Sequence, residues 1–296
     1  MTEIATTALQ RKAADEAPAS PAPLRSPYLG LARSGSFMLG AVIVVFWVAC
    51  ALFGRHLVPV DPYADDLMSS LAPPSAAHWF GTDQLGRDVF ARVVVGAGSI
   101  LAVAPLATLL GVTLGTLIGL LTGYFGGLLD DVLSRVIDTF LAVPVVILAL
   151  LVLVVLGRSD ATIIVVVGLA FAPIIARTVR TAVLTEMSLE YVAAAALRGE
   201  GALYVMFVEI LPNILAPILV EATVRLGYAI FTVASLSFLG FGIQPPSADW
   251  GLAISENYSL IGGGYWWTVL FDALATASLV VGVHLVADGL HRGLAE

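Results

Sequence analysis

The sequence predicts an all-α, polytopic membrane protein with six transmembrane helices. Of its 296 residues, 59% are hydrophobic and only 12% are charged, which is about half the charged fraction of a soluble domain. The mean hydropathy is +0.96, and this value excludes both a water-exposed globular surface and disorder over most of the length. Six apolar runs approach or exceed the roughly 20 residues that cross a bilayer core.

Residues 1–35 are expected to form an N-terminal tail. They are rich in Ala, Pro and Ser and show no apolar periodicity, which is typical of a mostly disordered segment. No apolar region follows the early basic residues, so the pattern does not indicate a cleavable signal peptide. The transmembrane domain is expected to occupy residues 36–296.

The predicted spans follow the apolar runs in chain order. They are Phe37–Phe53, Ser99–Gly123, Val136–Leu156, Thr162–Ala182, Ile210–Phe238 and Trp267–Leu290. The third, fourth and fifth contain proline, which kinks a membrane helix and is tolerated where neighbouring helices satisfy the freed backbone groups. In the second span Gly111, Gly115 and Gly119 form a ladder of small residues that permits close helix packing.

The distribution of basic residues predicts that both termini are cytoplasmic. With the N-terminus inside, nine basic residues fall on the cytoplasmic side: Arg11, Lys12, Arg25, Arg33, Arg135, Arg177, Arg180, Arg198 and Arg292. Four fall outside: Arg55, Arg87, Arg92 and Arg158. This topology leaves an external segment at about 60–95, a cytoplasmic loop at about 184–208 and an external loop at about 243–265.

Several kinds of chemistry are excluded by residue usage. Lys12 is the only lysine and lies in the tail, so the apolar body holds no P-loop lysine and no Schiff-base lysine. Cys50 is the only cysteine, which excludes an internal disulfide. The four histidines show no metal-ligand spacing, and we predict no metal site and no cofactor in this chain. The net charge of −8 gives no reason to expect nucleic acid.

The cytoplasmic loop at 184–208 carries the most information. Glu190–Leu197 predicts a helix, Gly199 and Gly201 break it, and Ala202–Val208 is short, apolar and aromatic. So short an apolar helix is not stable alone in water. It either folds back on the bundle or docks onto a partner through apolar anchors.

Four segments in order resemble one family. Glu190–Asn213 is similar to the EAA loop of ABC importer permeases, in which a glycine follows an Ala pair and an ILPN-like sequence opens the next helix. The other three resemble the C-type permeases of dipeptide and oligopeptide importers: Asp61–Arg92, which contains GTDQLGRDVF, Gly123–Pro144 and Ala234–Gly251. The resemblance covers roughly residues 30–290.

The resemblance implies a type I ABC importer permease fold in a bacterial plasma membrane. It implies a second homologous permease, two cytoplasmic ATPase subunits or domains that hold ATP and Mg, and an external substrate-binding protein that delivers di- or oligopeptides. This chain would then carry no catalytic residues. Related permeases serve nickel or other small solutes, and these remain an alternative.

The loop departs from the family pattern at one position. Ala193 stands where the glutamate of the EAA triplet is expected, so the chain reads Ala193-Ala194-Ala195. The residues expected to couple the chain to an ATPase are Glu190, Ala194, Ala195, Arg198, Gly199, Glu200, Leu203, Tyr204 and Phe207. We expect apolar burial to contribute more than charges at the rim.

Charged residues outside that loop give two further candidate sites. Glu221 and Arg225 stand four residues apart on one face of the fifth span, which favours an ion pair. That pair faces either the translocation path or the second permease. Five residues could belong to a face that receives the binding protein: Asp83, Arg87, Asp88, Asp249 and Trp250. Asp83, Arg87 and Asp88 could equally fix their loop on the bundle.

Other acidic residues have local explanations or suggest a different class of protein. Asp130 and Asp131 suit the positive end of the helix dipole at the start of the third span. Asp272, His284 and Asp288 in the last span permit a proton relay, as in a proton-coupled secondary transporter. That class predicts an inverted repeat, and the sequence contains no convincing one. A membrane enzyme would need a nucleophile and base at one depth, which the scattered histidines do not provide.

Overall fold

A computed structural model describes residues 35–295, with side chains as far as Arg292. The predicted tail, including Lys12, lies outside the described residues apart from Gly35. The helices are α1 Gly35–Leu57, α2 Val89–Phe125, α3 Gly127–Leu141, α4 Val145–Leu156, α5 Asp160–Met187, α6 Glu190–Leu197, α7 Ala202–Asn213, α8 Leu215–Phe238, α9 Trp250–Asn257 and α10 Trp267–Ala295. Residues 35–295 contain no β-strand.

Five of these helices are long and apolar enough to cross a membrane: α1, α2, α5, α8 and α10. The sixth predicted span is the pair α3 and α4, which is bent by 88°. The prediction of six spans is confirmed when this pair counts as one. The predicted proline kink in the span Val136–Leu156 is a full break, because the helix stops at Leu141 and restarts after Pro144, whose ring disfavours helical geometry in the residue before it.

The centre of the bundle is the parallel pair α2 and α5. Gly111, Gly115, Gly119 and Gly123 contact α5 at successive four-residue steps. A Cβ atom on Gly115 would lie 2.6 Å from the Cβ of Ile175, a separation that atoms cannot adopt without displacing a helix. The glycine ladder therefore sets how closely the two helices approach, as the sequence predicts.

Helix α1 packs antiparallel against α10 on the other side of α2. A Cβ atom on Gly40 would lie 2.6 Å from the carbonyl oxygen of Gly282. The indole Nε1 of Trp47 donates to the hydroxyl of Ser278 at 2.9 Å. Because this bond satisfies a polar group within an apolar interface, it fixes the register of the two helices.

The bundle has two ends that differ in composition. At one end, residues 58–88 and 239–266 fold over the termini of α1, α2, α5, α8 and α10, and we name this the capped end. At the other end, residues 188–213 connect α5 to α8, and we name them the open-end segment. Helix α2 is 37 residues long, and its first turns extend into the capped end.

Candidate functional sites

The open-end segment consists of two short helices joined at glycine. Helix α6 ends at Leu197, and Gly199 follows with φ +79°, a left-handed conformation that favours glycine. Helix α7 contains a π-helical stretch at Val205–Ile210 and ends before α8 begins at Leu215. The predicted fifth span over Ile210–Phe238 therefore starts later than expected, and the segment is longer than the predicted loop.

Buried side chains hold the open-end segment against the bundle. Five apolar residues are at most 5% exposed: Val192, Ala195, Val205, Met206 and Ile210. The hydroxyl of Tyr191 donates to Glu186 of α5 at 2.5 Å and accepts from the amide of Asn213 at 3.2 Å. Burial and the bond to Glu186 raise the pKa of Tyr191, so the phenol stays protonated as the donor. Both ends of the segment are thereby fixed to α5.

The opposite face of the segment is apolar and exposed. Leu197 is 90% exposed and Leu203 is 69% exposed. Tyr204, Phe207 and Val208 are also exposed. Of the two readings left open by the sequence, folding back and docking, the structure supports each for a different face. One face is buried in the bundle, while the other leaves a row of large apolar side chains that residues 35–292 do not cover.

The polar residues predicted for this segment are arranged around that row. Arg198 donates to Glu209 at 2.8 Å and lies 3.8 Å from Glu200. Glu190, Ala193 and Ala194 are exposed, whereas Ala195 is fully buried and serves packing. Arg198 thus has carboxylate partners within its own chain, and the exposed Ala193 leaves the surface of α6 without the expected carboxylate.

At the capped end, a buried ion network joins three elements. Asp83 accepts from the backbone N–H groups of Leu85 and Arg87 and from Nε of Arg87 at 2.7 Å. Arg87 also donates to Glu256 of α9 at 3.0 Å. Burial alone would lower the pKa of Arg87, but the two carboxylates outweigh it and raise that pKa. Arg92 lies 3.9 Å from Asp83 and donates to the carbonyl of Ser247.

The remaining predicted residues of the capped end serve as helix caps and core. Asp88 accepts from the N–H of Ala91 and pairs with His78 at 2.9 Å. Asp249 accepts from the N–H of Leu252 at 2.9 Å. Burial raises the pKa of Asp249 to about 6. Trp250 is fully buried, and its Nε1 donates to the carbonyl of Val93 on α2 at 2.9 Å.

These positions correct one prediction from the sequence. The five residues predicted as a face for a binding protein are all buried, each at 8% exposure or less: Asp83, Arg87, Asp88, Asp249 and Trp250. Their bonds go to their own chain. For Asp83, Arg87 and Asp88, the geometry supports the alternative reading, that they fix their loop on the bundle. Sequence reasoning assigned no role to Glu256 or Arg92, and only the network itself shows that they belong together.

Charges within the spans are paired or separated. Arg225 donates to Glu221 at 2.5 Å, and both side chains are about one-sixth exposed. Asp272 is 2% exposed near the capped end. His284 lies three turns further along α10, where it bonds to the carbonyl of Val280. The structure therefore brings Glu221 and Arg225 together but does not join Asp272 and His284 in one relay. Within residues 35–292, no three His, Cys, Asp or Glu side chains cluster as metal ligands do.

A cavity of about 490 Å3 opens at the capped end. It is lined in part by Arg55 of α1, Ser99 of α2 and Arg158 before α5. Arg158 donates to the carbonyl of Gly240 at 3.0 Å and lies over the ring of Phe241. The capped end therefore combines an internally paired ion network with an accessible cleft that two arginines border.

Comparison with known proteins identifies the family. Residues 115–296 match the binding-protein-dependent transport system inner membrane component, and residues 30–74 match the N-terminal transmembrane domain of oligopeptide transport permease C. The chain belongs to this permease family. It is a multi-pass membrane protein with the all-α fold of type I ABC importer permeases, and the family consists of transport permeases rather than known enzymes.

Individual relatives align with nearly the whole chain. The dipeptide transport system permease protein DppC of Escherichia coli strain K12 is 39% identical over 284 residues, covering 94% of each chain. DppC of Alkalihalophilus pseudofirmus is 36% identical, covering 92% of this chain and 89% of the relative. The di/tripeptide transport system permease protein DppC of Pseudomonas aeruginosa strain UCBPP-PA14 is 33% identical, covering 95% of each.

Proposed function

We propose that this chain is one of two permease subunits of an ATP-driven importer of di- and oligopeptides. The observation that carries the proposal is the match of more than nine-tenths of the chain to permeases named for dipeptide or di/tripeptide transport. The names of these relatives favour peptide over nickel as the substrate. The absence of a joined proton relay among the described residues of α10 gives no support to a proton-coupled carrier.

The open-end segment is the proposed docking site for the ATPase subunits. Its exposed apolar row has the chemistry of a helix that inserts into a groove of a partner. The residues proposed to contact the partner are Leu197, Leu203, Tyr204, Phe207 and Val208. Arg198, Gly199 and Glu200 form the turn that presents them, and Glu190 and Ala194 lie exposed beside it. ATP and Mg would be held by the ATPase subunits.

The capped end is the proposed docking site for the binding protein. Since the predicted charged residues are buried there, the contact must use other side chains. Leu67 is 72% exposed, Met68 is 96% exposed and Trp79 is 63% exposed. This assignment places the capped end outside a bacterial plasma membrane and both termini in the cytoplasm. Glu221 and Arg225 are then proposed to face the translocation path or the second permease.

Two double variants test the two docking sites against each other. We expect Leu203→Ser with Phe207→Ser to weaken co-purification of the ATPase more than tenfold, because each large apolar side chain contributes about 1.5–3 kcal/mol when buried. Leu67→Ser with Met68→Ser removes two apolar groups at the other end that are at least as exposed as Leu203 and Phe207. That control should retain the ATPase and lose the binding protein. Equal retention of ATPase by both variants would contradict the assignment of the open-end segment.

Transport itself is measured in proteoliposomes that contain the purified complex. Labelled dipeptide and binding protein are placed on one side, and ATP with Mg on the other. We expect uptake that requires ATP and is competed by unlabelled dipeptide but not by nickel. Uptake that does not require ATP and follows an imposed pH gradient would favour a secondary transporter, and ATP-dependent uptake of nickel without uptake of dipeptide would favour the metal.

A further inference from the structure

Helix α3, the first half of the bent span, is attached to the bundle by few contacts. Of its 15 residues, only Ile137 is buried. Its apolar face points away from the rest of the chain, with Leu128 at 79% exposure and Val132, Val136 and Phe140 also exposed. A membrane helix with one buried side chain has little packing energy to fix its position, so other interactions must do so.

Both ends of α3 are built to bend. At its start, Gly126 and Gly127 have φ of +59° and +56°, a left-handed conformation that only glycine adopts at low cost. At its end, the chain breaks at residues 142–144 and turns by 88° into α4. Helix α3 is therefore a short rigid arm between two hinges.

One ion pair fixes the arm to α5. Arg180 donates to both oxygens of Asp130, from Nε at 2.6 Å and from the terminal nitrogen at 2.5 Å. The hydroxyl of Ser134 donates to the same carboxylate. Such a two-bond fork holds orientation as well as distance. The sequence suggested only that Asp130 interacts favourably with the dipole of its own helix. The structure shows that the same carboxylate also pairs with Arg180 on another helix.

A second pair joins the same two helices in a much weaker way. Asp138 lies 3.6 Å from Arg177, and both side chains are more than 60% exposed. Exposed pairs of this kind contribute little. Between the pairs lies a cavity of about 350 Å3 lined mainly by charged and polar side chains. Ile137 is the only buried side chain of α3 that borders this cavity, so α3 contacts α5 there mainly through charged and polar groups.

Helix α5 leads directly to the proposed ATPase docking site. Arg180 stands seven residues, or about two helical turns, before the end of α5 at Met187. Glu186, in that last turn, is bonded to Tyr191 of the open-end segment. A displacement of the open-end segment is therefore transmitted to α5 through the polypeptide chain and through the Tyr191–Glu186 hydrogen bond. From α5 it is transmitted to α3 through the Asp130–Arg180 fork, the pair of parallel hydrogen bonds between these two side chains.

We propose that Asp130 and Arg180 are positioning residues that couple movement of the open-end segment to the bend between α3 and α4. This inference rests on the proposed function. When ATPase subunits displace the segment, α5 carries the fork with it and α3 turns about its two hinges. The charge pair transmits the displacement, while the exposed Asp138–Arg177 pair does not.

The test compares the two pairs in the purified transporter with its partner subunits. Spin labels on cysteines introduced at the exposed positions Val136 of α3 and Leu184 of α5 report the distance between the helices. Cys50, the only native cysteine of this chain, is buried. In the otherwise wild-type chain we expect the distance to change when ATP is added. In Asp130→Asn we expect the change to be lost, while ATP hydrolysis continues.

Transport per ATP hydrolysed is the second readout. We expect Asp130→Asn to lower it about tenfold, within the usual range of coupling between distant sites. Arg180→Lys keeps the positive charge but cannot form the two parallel hydrogen bonds, so transport per ATP hydrolysed should lie between the values of wild type and Asp130→Asn. The matched controls Asp138→Asn and Arg177→Gln should leave both readouts unchanged. The exchanged pair, Asp130→Arg with Arg180→Asp, should restore at least half of the coupling.

The outcomes separate this inference from the proposed function. If Asp130→Asn keeps the ATP-dependent distance change, or if the controls lose it equally, the fork does not transmit the movement. If the otherwise wild-type transporter shows the distance change but takes up no peptide, the substrate assignment fails and the role of the fork stands. If the exchanged pair folds and does not restore coupling, the pair is not acting through its mutual attraction.

Discussion

The capped end and the open end of this permease place their polar and apolar residues in opposite ways. At the capped end, charged residues from three elements are buried, and Asp83, Arg87 and Glu256 satisfy one another. At the open end, apolar residues such as Leu197 and Leu203 are exposed, while Arg198 keeps its carboxylate partners at the surface. The charges of the Asp83–Arg87–Glu256 network are thus paired within the chain, whereas Leu197 and Leu203 at the open end remain exposed.

This difference shows that the composition of a loop does not reveal whether it awaits a partner. From the sequence, the many charged residues of the capped end suggested a docking surface for the binding protein. Burying charges is costly unless they are paired and hydrogen-bonded, and here the pairing is complete enough that the network serves folding. The open-end segment has fewer charges but leaves large apolar area exposed, and such area favours association.

The largest effect is expected from breaking the network at the capped end. Asp83→Ala removes the acceptor of four contacts, leaving Arg87 and Arg92 buried with less negative charge beside them. Removing one partner of a buried pair costs about 3–5 kcal/mol. We expect a large drop in the thermal midpoint of the purified protein in detergent. Asp65→Ala, an exposed carboxylate of the same segment, is the control and should leave the midpoint unchanged.

The comparison would fail if the two variants behaved alike. An unchanged midpoint in Asp83→Ala would mean that water replaces the carboxylate and that the capped end is not a closed unit. A loss of binding-protein affinity in Asp83→Ala without a loss of stability would restore the prediction that this residue belongs to a docking face.

Much of the fold was predictable because apolar runs of about 20 residues have few alternatives in a chain of this composition. The spacing of Gly111, Gly115 and Gly119 also predicted a close helix–helix contact, since residues spaced by four share one face of a helix. A proline kink in the third span was predicted, but a full break of the helix was not. Pro144 lies within the apolar run Val136–Leu156, so the position of a kink can be read from the sequence. The angle of 88° cannot, because it depends on how the neighbouring helices pack.

The sites were predictable to different degrees for a physical reason. The open-end segment has local signals, such as Gly199 and the apolar Ala202–Val208, so its two helices follow from the sequence alone. The network at the capped end joins Asp83 to Arg87 four residues away, but joins Arg87 to Glu256 across 169 positions. Nothing local marks that second contact, and exposure cannot be read from a run of charges.

A smaller effect is expected from pH at the capped end. The pKa of Asp249 is about 6 in the folded chain against an ordinary 3.8, so the folded state holds this proton more tightly than the unfolded state. Its contribution is present below pH 4 and is lost as pH rises through 6, by about 3 kcal/mol in all. Asp249→Asn keeps a cap for Leu252 without the titration.

The measurement is the difference in thermal midpoint between wild type and Asp249→Asn at several pH values. We expect wild type to lose stability relative to the variant from about pH 4 to about pH 6 and then to run parallel to it. A constant difference across this range would show that Asp249 is ionised in the folded chain at low pH, and that the capped end contains water beside it.

The smallest effect is expected at the open end, from Arg198→Ala. Arg198 is 54% exposed, and its pairs with Glu209 and Glu200 lie at the surface, where such pairs contribute less than about 1 kcal/mol. The thermal midpoint should therefore be nearly unchanged, in contrast to Asp83→Ala.

ATPase co-purification should fall less than in the Leu203→Ser, Phe207→Ser variant, because anchors buried at an interface contribute more than charges at its rim. Glu209→Gln removes the same pair from the other side and should match it. If Arg198→Ala released the ATPase while Glu209→Gln retained it, the guanidinium would be a direct contact of the partner.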